Sequence, residues 1–210
     1  MRRIRIVVAY DGTNYCGWQI QPNGITIEEI LNRQISKLTG EDIRIIGASR
    51  TDSGVHALGN VAVFDTESRI PGDRFAYALN QKMPEDIVIV RSDEVQIDWH
   101  PRYQNEISKT YEYHIYNAKV RNPLKNRYST FISFDLDVEK MRQGAKYILG
   151  EHDFASFCNV RTNAKDTVRT VHEITITEIP MDKFRASNWG QENSNLENEK
   201  EIVIRVTGNG

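Results

Sequence analysis

Along the first half of the chain the hydrophobic period alternates between that of a strand and that of a helix, in an order few folds accommodate. Residues 3–10 alternate, with Ile4, Ile6, Val8 and Tyr10 on one face, and read as a strand. Thr26 and Glu29 form a capping-box pattern. Ile27, Ile30, Leu31, Ile35 and Leu38 then mark one helical face, and Gly40 supplies the stop. "IRIIGA" and "VAVF" read as strands. "DRFAYALNQKM", closed by Pro84, reads as a helix with Phe75, Ala78, Leu79 and Met83 inward, and "DIVIV" is the next strand. Strand, helix, strand, strand, helix, strand is the ferredoxin-like plan, an antiparallel sheet with helices on one face.

The second half repeats part of this order. "ISKTYEYHIYN" is a strand with Ile107, Lys109, Tyr111, Tyr113 and Ile115 on one side, and "DVEKMRQGAKYIL" is a helix ending at Gly150. "TVHEITITEI" and "EIVIRVT" are strands joined by the polar stretch "NWGQENSNLENEK", which is expected to be the most mobile part of the chain. The expected class is therefore α+β: two ferredoxin-like or RRM-like halves with mainly antiparallel sheets, residues 1–102 and 103–210. A closing helix would complete the second half, and none follows "TGNG" in these residues.

At 39% hydrophobic residues the 210-residue chain is neither disordered by composition nor membrane-embedded, and no apolar run approaches the roughly 20 residues needed to span a bilayer. Cys16 and Cys158 stand far apart with no paired spacing, so neither a disulfide framework nor a zinc site is expected, and a reduced cytoplasmic setting fits best. The net charge of −2 counts against a uniformly basic nucleic-acid binder, but phosphate meets local patches. Lys and Arg cluster in "VRNPLKNRY" and "VRTNAKDTVRTV".

The loop "GASRTDSGVHA", residues 47–57, carries more polar equipment than a connection between strands requires. A carboxylate at the sheet edge, such as Asp52, can act as nucleophile, base or cation ligand. In an extended segment Arg50 points the same way as Asp52 and can hold it ionised or stack on a planar substrate. The structural alternative is an ordinary turn, in which Asp52 accepts backbone N–H groups, Gly54 tolerates positive φ, and Arg50 pairs with the Asp. His56 reads as a packed or solvent-facing side chain, since nothing beside it has metal-ligand spacing. Walker, GxGxxG, GxSxG and His-Glu zinc patterns are absent, as is the aromatic signature of RNA-recognition motifs, so neither metal nor cofactor is expected.

Five segments occur in a specific order: "AYDGTNYCGWQIQ" (9–21), "GASRTDSGVHA", "SKTYEYHIYN" (108–117), "NPLKNRYS" (122–129) and "ILGEHDFASF" (148–157). With them the chain closely resembles the bacterial tRNA pseudouridine synthase A family over nearly all of residues 3–210. The resemblance implies a cofactor-free isomerase that converts uridine to pseudouridine at positions 38, 39 and 40 of the tRNA anticodon stem-loop. It implies a homodimer, with no membrane association. Asp52 matches the family's nucleophile, Tyr111 its substrate-contacting Tyr, and Arg50 the Arg that displaces and holds the target nucleotide. Segments around His100 and Arg102, and around Arg161 and Arg169, match tRNA-contacting regions. "YDGTNYCGW" is expected to serve mainly as support, with its turn against the catalytic loop and Trp18 in the core. The sequence departs from the family at Gly208–Asn209–Gly210, where a helix whose Arg pairs with the catalytic Asp would begin.

Two other readings stay open on the residues alone. One is a non-catalytic RNA-binding module, against which a bare carboxylate on a phosphate-facing surface argues. The other is a hydrolase using Asp52 on a glycosidic bond, which ordinarily needs a second carboxylate, and none stands out.

Overall fold

The structure, a computed structural model, describes residues 1–103, 108–158, 166–180 and 199–209. The chain divides into two compact units, Met1–Glu106 and Ile107–Gly210.

In the first unit, β1 (Arg2–Tyr10), α1 (Ile27–Thr39), β2 (Ile46–Gly47), β3 (Ala57–Thr66), α2 (Phe75–Asn80) and β4 (Ile87–Val95) follow one another as expected. The sheet order is β2-β3-β1-β4, with each neighbouring pair antiparallel. Setting the first strand between the third and fourth is the ferredoxin-like arrangement. Ile4, Ile6, Val8 and Tyr10 of β1 are buried in one cluster with Ile27, Ile30, Leu31 and Ile35 of α1 and Phe75 and Leu79 of α2. Each such apolar side chain contributes about 1.5–3 kcal/mol on leaving water. The α1 boundaries follow the sequence signals. The Thr26 hydroxyl accepts the Glu29 N–H at 3.3 Å. Gly40, left-handed at φ 77°, donates its N–H to the Ser36 carbonyl at 2.8 Å.

Two elements are shorter than their hydrophobic pattern. The "IRIIGA" strand pairs only at Ile46–Gly47, because side chains of α1 take its earlier donors. Ile43 N–H goes to Ser36 Oγ and Ile45 N–H to Asn32 Oδ1, both at 2.9 Å. Helix α2 stops after Asn80, whose amide turns to β4, accepting from Ile89 N–H at 2.8 Å and donating to the Ile89 carbonyl at 2.9 Å. That pairing sits beside the bulge where the β1–β4 register shifts.

In the second unit, β5 (Lys109–Asn117), β6 (Thr130–Ile132), α3 (Val138–Ala145), β7 (Gly150–Asp153), β8 (Val168–Pro180) and β9 (Lys200–Gly208) form a sheet of order β6-β5-β9-β8-β7. Only β5 and β6 run parallel. The neighbours β5-β9-β8 repeat the relation of β1-β3-β2, with α3 standing where α1 stands. Short β6 (Thr-Phe-Ile) and short, polar β7 carry no alternation a sequence reading can find. The helix expected to reach Gly150 ends at Ala145, where tighter turns take over, from Lys146 N–H to the Gln143 carbonyl and from Tyr147 N–H to that of Gly144. The core here is small: Ile115, Val138 and Ile202 are buried, with Leu136, Met141, Ile176 and Ile204 partly so. On the opposite face of β5, His114 lies between Glu201 (2.8 Å) and Glu112 (3.3 Å). Lys125 pairs with Glu201 at 2.7 Å and Arg205 with Glu112 at 2.5 Å. Most of the polar stretch 188–200 lies outside the described residues.

Candidate active site

The crowded loop runs from the end of β2 to the start of β3, and the segment after β1 holds it. Trp18 N–H donates to the Thr51 carbonyl at 3.0 Å, and Gly54 N–H donates to the Tyr15 carbonyl at 3.2 Å. The Ser53 hydroxyl also reaches the Tyr15 carbonyl, at 3.3 Å. The two segments touch so closely that glycine is required between them. A Cβ on Gly12 would stand 2.0 Å from the Val55 carbonyl oxygen, and one on Gly17, at φ 79°, 2.5 Å from that of Thr51. Trp18 is buried against Gly47 at the root of the loop. The half-buried His56 accepts the Gly12 N–H at Nδ1, 3.1 Å away, with an Asp11 carboxylate oxygen at the same distance. "YDGTNYCGW" is thus the buttress of the loop.

Within the loop the backbone alternates. Thr51 is half-buried and turned inward, its hydroxyl bonded to that of Tyr10 at 2.8 Å. Its neighbours Arg50 and Asp52 are exposed. The turn is closed by Val55 N–H donating to the main-chain carbonyl of Asp52 at 3.2 Å. The carboxylate takes no part in it. Among the described residues neither the Asp52 nor the Arg50 side chain has a hydrogen-bond or ion-pair partner. Neither structural alternative, a side-chain-capped turn or an Arg50–Asp52 pair, is what holds this loop.

The other candidate residues are distributed between the units. In the first, His100 stacks on Tyr103 with ring centroids 4.4 Å apart. Its Nδ1 accepts the Arg102 N–H at 3.1 Å. Burial, with Arg102 and Arg3 nearby, lowers its pKa, so the ring is neutral near pH 7 with its proton on Nε2. Arg102 donates through Nε to the Gly47 carbonyl at 2.7 Å, which ties it to the root of the same loop. In the second unit, Tyr111 is 47% exposed, opposite Val206 on β9, while Tyr113 bonds Thr130 at 2.8 Å. Arg169 opens β8 opposite His152. Arg161 lies outside the described residues.

Residues 6–104 and 145–210 match the family model described as tRNA pseudouridine synthase. A tRNA pseudouridine synthase A of Acetivibrio thermocellus is 48% identical over 191 residues, covering 90% of this chain and 78% of the relative. That of a Thermoanaerobacter strain is 46% identical over 176 residues, 84% of this chain and 72% of the relative. That of Brevibacillus brevis is 43% identical over 179 residues, 85% and 73%. The chain belongs to the tRNA pseudouridine synthase family. Members of this family are isomerases. Pseudouridine has the atoms of uridine, with the glycosidic bond moved from nitrogen to carbon, so redox and phosphoryl machinery are not needed. The matched blocks take in Arg50, Asp52, His100 and Arg102, then Arg161 and Arg169; Tyr111 falls between them.

Sequence reasoning passed over Asn60. It sits on the core-facing side of β3 with Ala62, Phe64 and Thr66, and is buried. An amide in a strand's buried register is a legible signal, because it must find partners there. One of them is the Ser49 carbonyl of the loop.

Proposed function

We propose that the chain isomerises uridine to pseudouridine at positions 38, 39 and 40 of the tRNA anticodon stem-loop, with Asp52 as nucleophile on an extruded uridine. The observation that carries this is the Asp52 carboxylate itself, exposed and unengaged on a loop pinned on both sides. A turn built on main-chain atoms has no structural use for that charge, and a lone carboxylate facing RNA is repelled by phosphate unless the chemistry employs it. Extrusion of the target base costs a few kcal/mol. Arg50 fills the vacated space and Tyr111 stacks on the uracil. His100, Arg102, Arg161 and Arg169 meet the RNA, which scattered basic residues on a near-neutral chain can do. The enzyme works as a homodimer in the cytoplasm, where its tRNA is found.

The test is incubation with an unmodified tRNA carrying uridine at all three positions, followed by mapping of pseudouridine and measurement of free uracil. Pseudouridine at those positions without uracil release is the expected result. Free uracil would mean hydrolysis, and tight binding with no modification would mean a non-catalytic RNA-binding module.

A further inference from the structure

Asn60 is 8% exposed, on a strand face otherwise given to the core. Burying an amide there is unfavourable unless hydrogen bonds compensate, and its bonds run to the loop and to Tyr10 of β1. Nδ2 donates to the Ser49 carbonyl at 3.1 Å and to the Tyr10 hydroxyl at 3.4 Å. The Tyr10 hydroxyl is bonded in turn to Thr51 Oγ1 at 2.8 Å. One amide therefore reaches both neighbours of Arg50, Ser49 directly and Thr51 through Tyr10. On the far side, Trp18 N–H holds the Thr51 carbonyl. Ser49 and Thr51 are half-buried, whereas Arg50 and Asp52 are exposed. With the inward residues fixed, the alternation of an extended backbone turns the outward pair to one side.

We propose that Asn60 is a positioning residue for the isomerisation: through Ser49, and through Tyr10 and Thr51, it fixes the loop backbone so that Arg50 and Asp52 face the target nucleotide together. This rests on the reading of Asp52 as nucleophile. An apolar side chain with the same branching, such as leucine, would meet the core without needing hydrogen-bond partners, so packing alone does not call for an amide here. One bond goes to a loop carbonyl and the other to the Tyr10 hydroxyl, and neither is part of the β-ladder, which ties their loss to loop geometry more than to strand pairing.

The experiment compares Asn60→Leu, Asn60→Asp, Tyr10→Phe and Asp52→Asn with the parent enzyme. Single-turnover isomerisation at saturating unmodified tRNA is measured beside tRNA affinity and thermal melting. Asn60→Leu keeps the branching but removes both polar atoms, Asn60→Asp keeps the shape but not the donors, and Tyr10→Phe keeps the ring that packs on Trp18. The two Asn60 variants should lose about ten- to a hundredfold in rate, the scale expected when a reacting group is held slightly out of place. Affinity should stay within about threefold, which separates lost positioning from lost binding. Tyr10→Phe should lose rate in the same direction. Combined with Asn60→Leu it should lose less than the product of the two, since both act on one path. If Asp52→Asn is inactive while a folded Asn60→Leu keeps the parent rate, the positioning role is wrong and the Asp52 reading stands. Should the Asn60 variants fail to fold, Tyr10→Phe at the parent rate refutes it equally. If Asp52→Asn still isomerises, the underlying reading fails and this inference falls with it.

Discussion

Replacing Asp52 with Asn removes a charge and keeps the shape, and the structure bounds what that does to folding. The turn bond uses the main-chain carbonyl of residue 52, which Asn retains. The side chain is exposed and has no partner among the described residues. Such a substitution shifts stability by about 0.5 kcal/mol or less, against about 1 kcal/mol had the carboxylate closed the turn. In a unit of this size that smaller figure corresponds to roughly 2–4 °C in Tm. Losing a nucleophile removes about four orders of magnitude or more of rate. At 1.36 kcal/mol per factor of ten, that raises the barrier by roughly 5 kcal/mol. The effect on chemistry therefore exceeds the effect on folding by about tenfold. Deleting a negative charge near phosphate should leave tRNA affinity unchanged or slightly higher. The assay is pseudouridine formation under single-turnover conditions with enzyme in excess, so that weak binding cannot imitate lost chemistry. A variant within a few-fold of the parent rate refutes the reasoning. So does one whose activity falls only in step with its Tm.

Tyr111→Phe should keep most activity and Tyr111→Leu lose it if stacking is the task; loss in both assigns a role to the hydroxyl, and retention in both makes Tyr111 a packing residue. Because His100 is held neutral by burial and neighbouring Arg residues, His100→Gln should leave the salt slope of tRNA binding unchanged, whereas Arg169→Ala should reduce it by about one counterion; equal slopes would remove Arg169 from the RNA contacts. Hydrogen bonds from Lys125 to Glu201 and from Arg205 to Glu112, each with His114 adding, hold both carboxyls below their ordinary value of 4.5. A depressed folded-state pKa contributes stability that is present above the ordinary value and lost as pH falls through the folded one. Acid unfolding of the second unit should thus set in below about pH 4.5 and be less steep in Glu201→Gln, as followed by circular dichroism.

The first unit was legible because its signals are redundant. In β1 the alternation of Ile4, Ile6, Val8 and Tyr10, and in α1 the Thr26 cap, the apolar stripe and Gly40, each specify the same element independently. Where the pattern misled, a side chain had replaced a backbone partner. Asn32 and Ser36 capture donors that "IRIIGA" would have given to a strand, and the Asn80 amide takes up both the N–H and the carbonyl of Ile89. Such substitutions leave the hydrophobic period untouched, so no reading of period detects them. In the second unit β6 and β7 escaped for a different reason: three or four residues are too few to carry a period.

The candidate site divides in the same way. "TDSG" is a turn by any local rule, and a turn it is. What the local rule leaves open is which oxygen of Asp52 accepts the Val55 N–H. Had the carboxylate done so, the charge would have been consumed by the fold and the loop would have needed no further explanation. The main-chain carbonyl does so instead. The choice is imposed from outside the motif, because Thr51 is pulled inward by Tyr10 and its carbonyl is held by Trp18, residues more than thirty positions away in sequence. With Thr51 inward, the side chains on either side turn out to solvent, and Arg50 and Asp52 remain uncommitted. The motif therefore supplies the reactive group, and the distant anchors keep it from being spent on the turn.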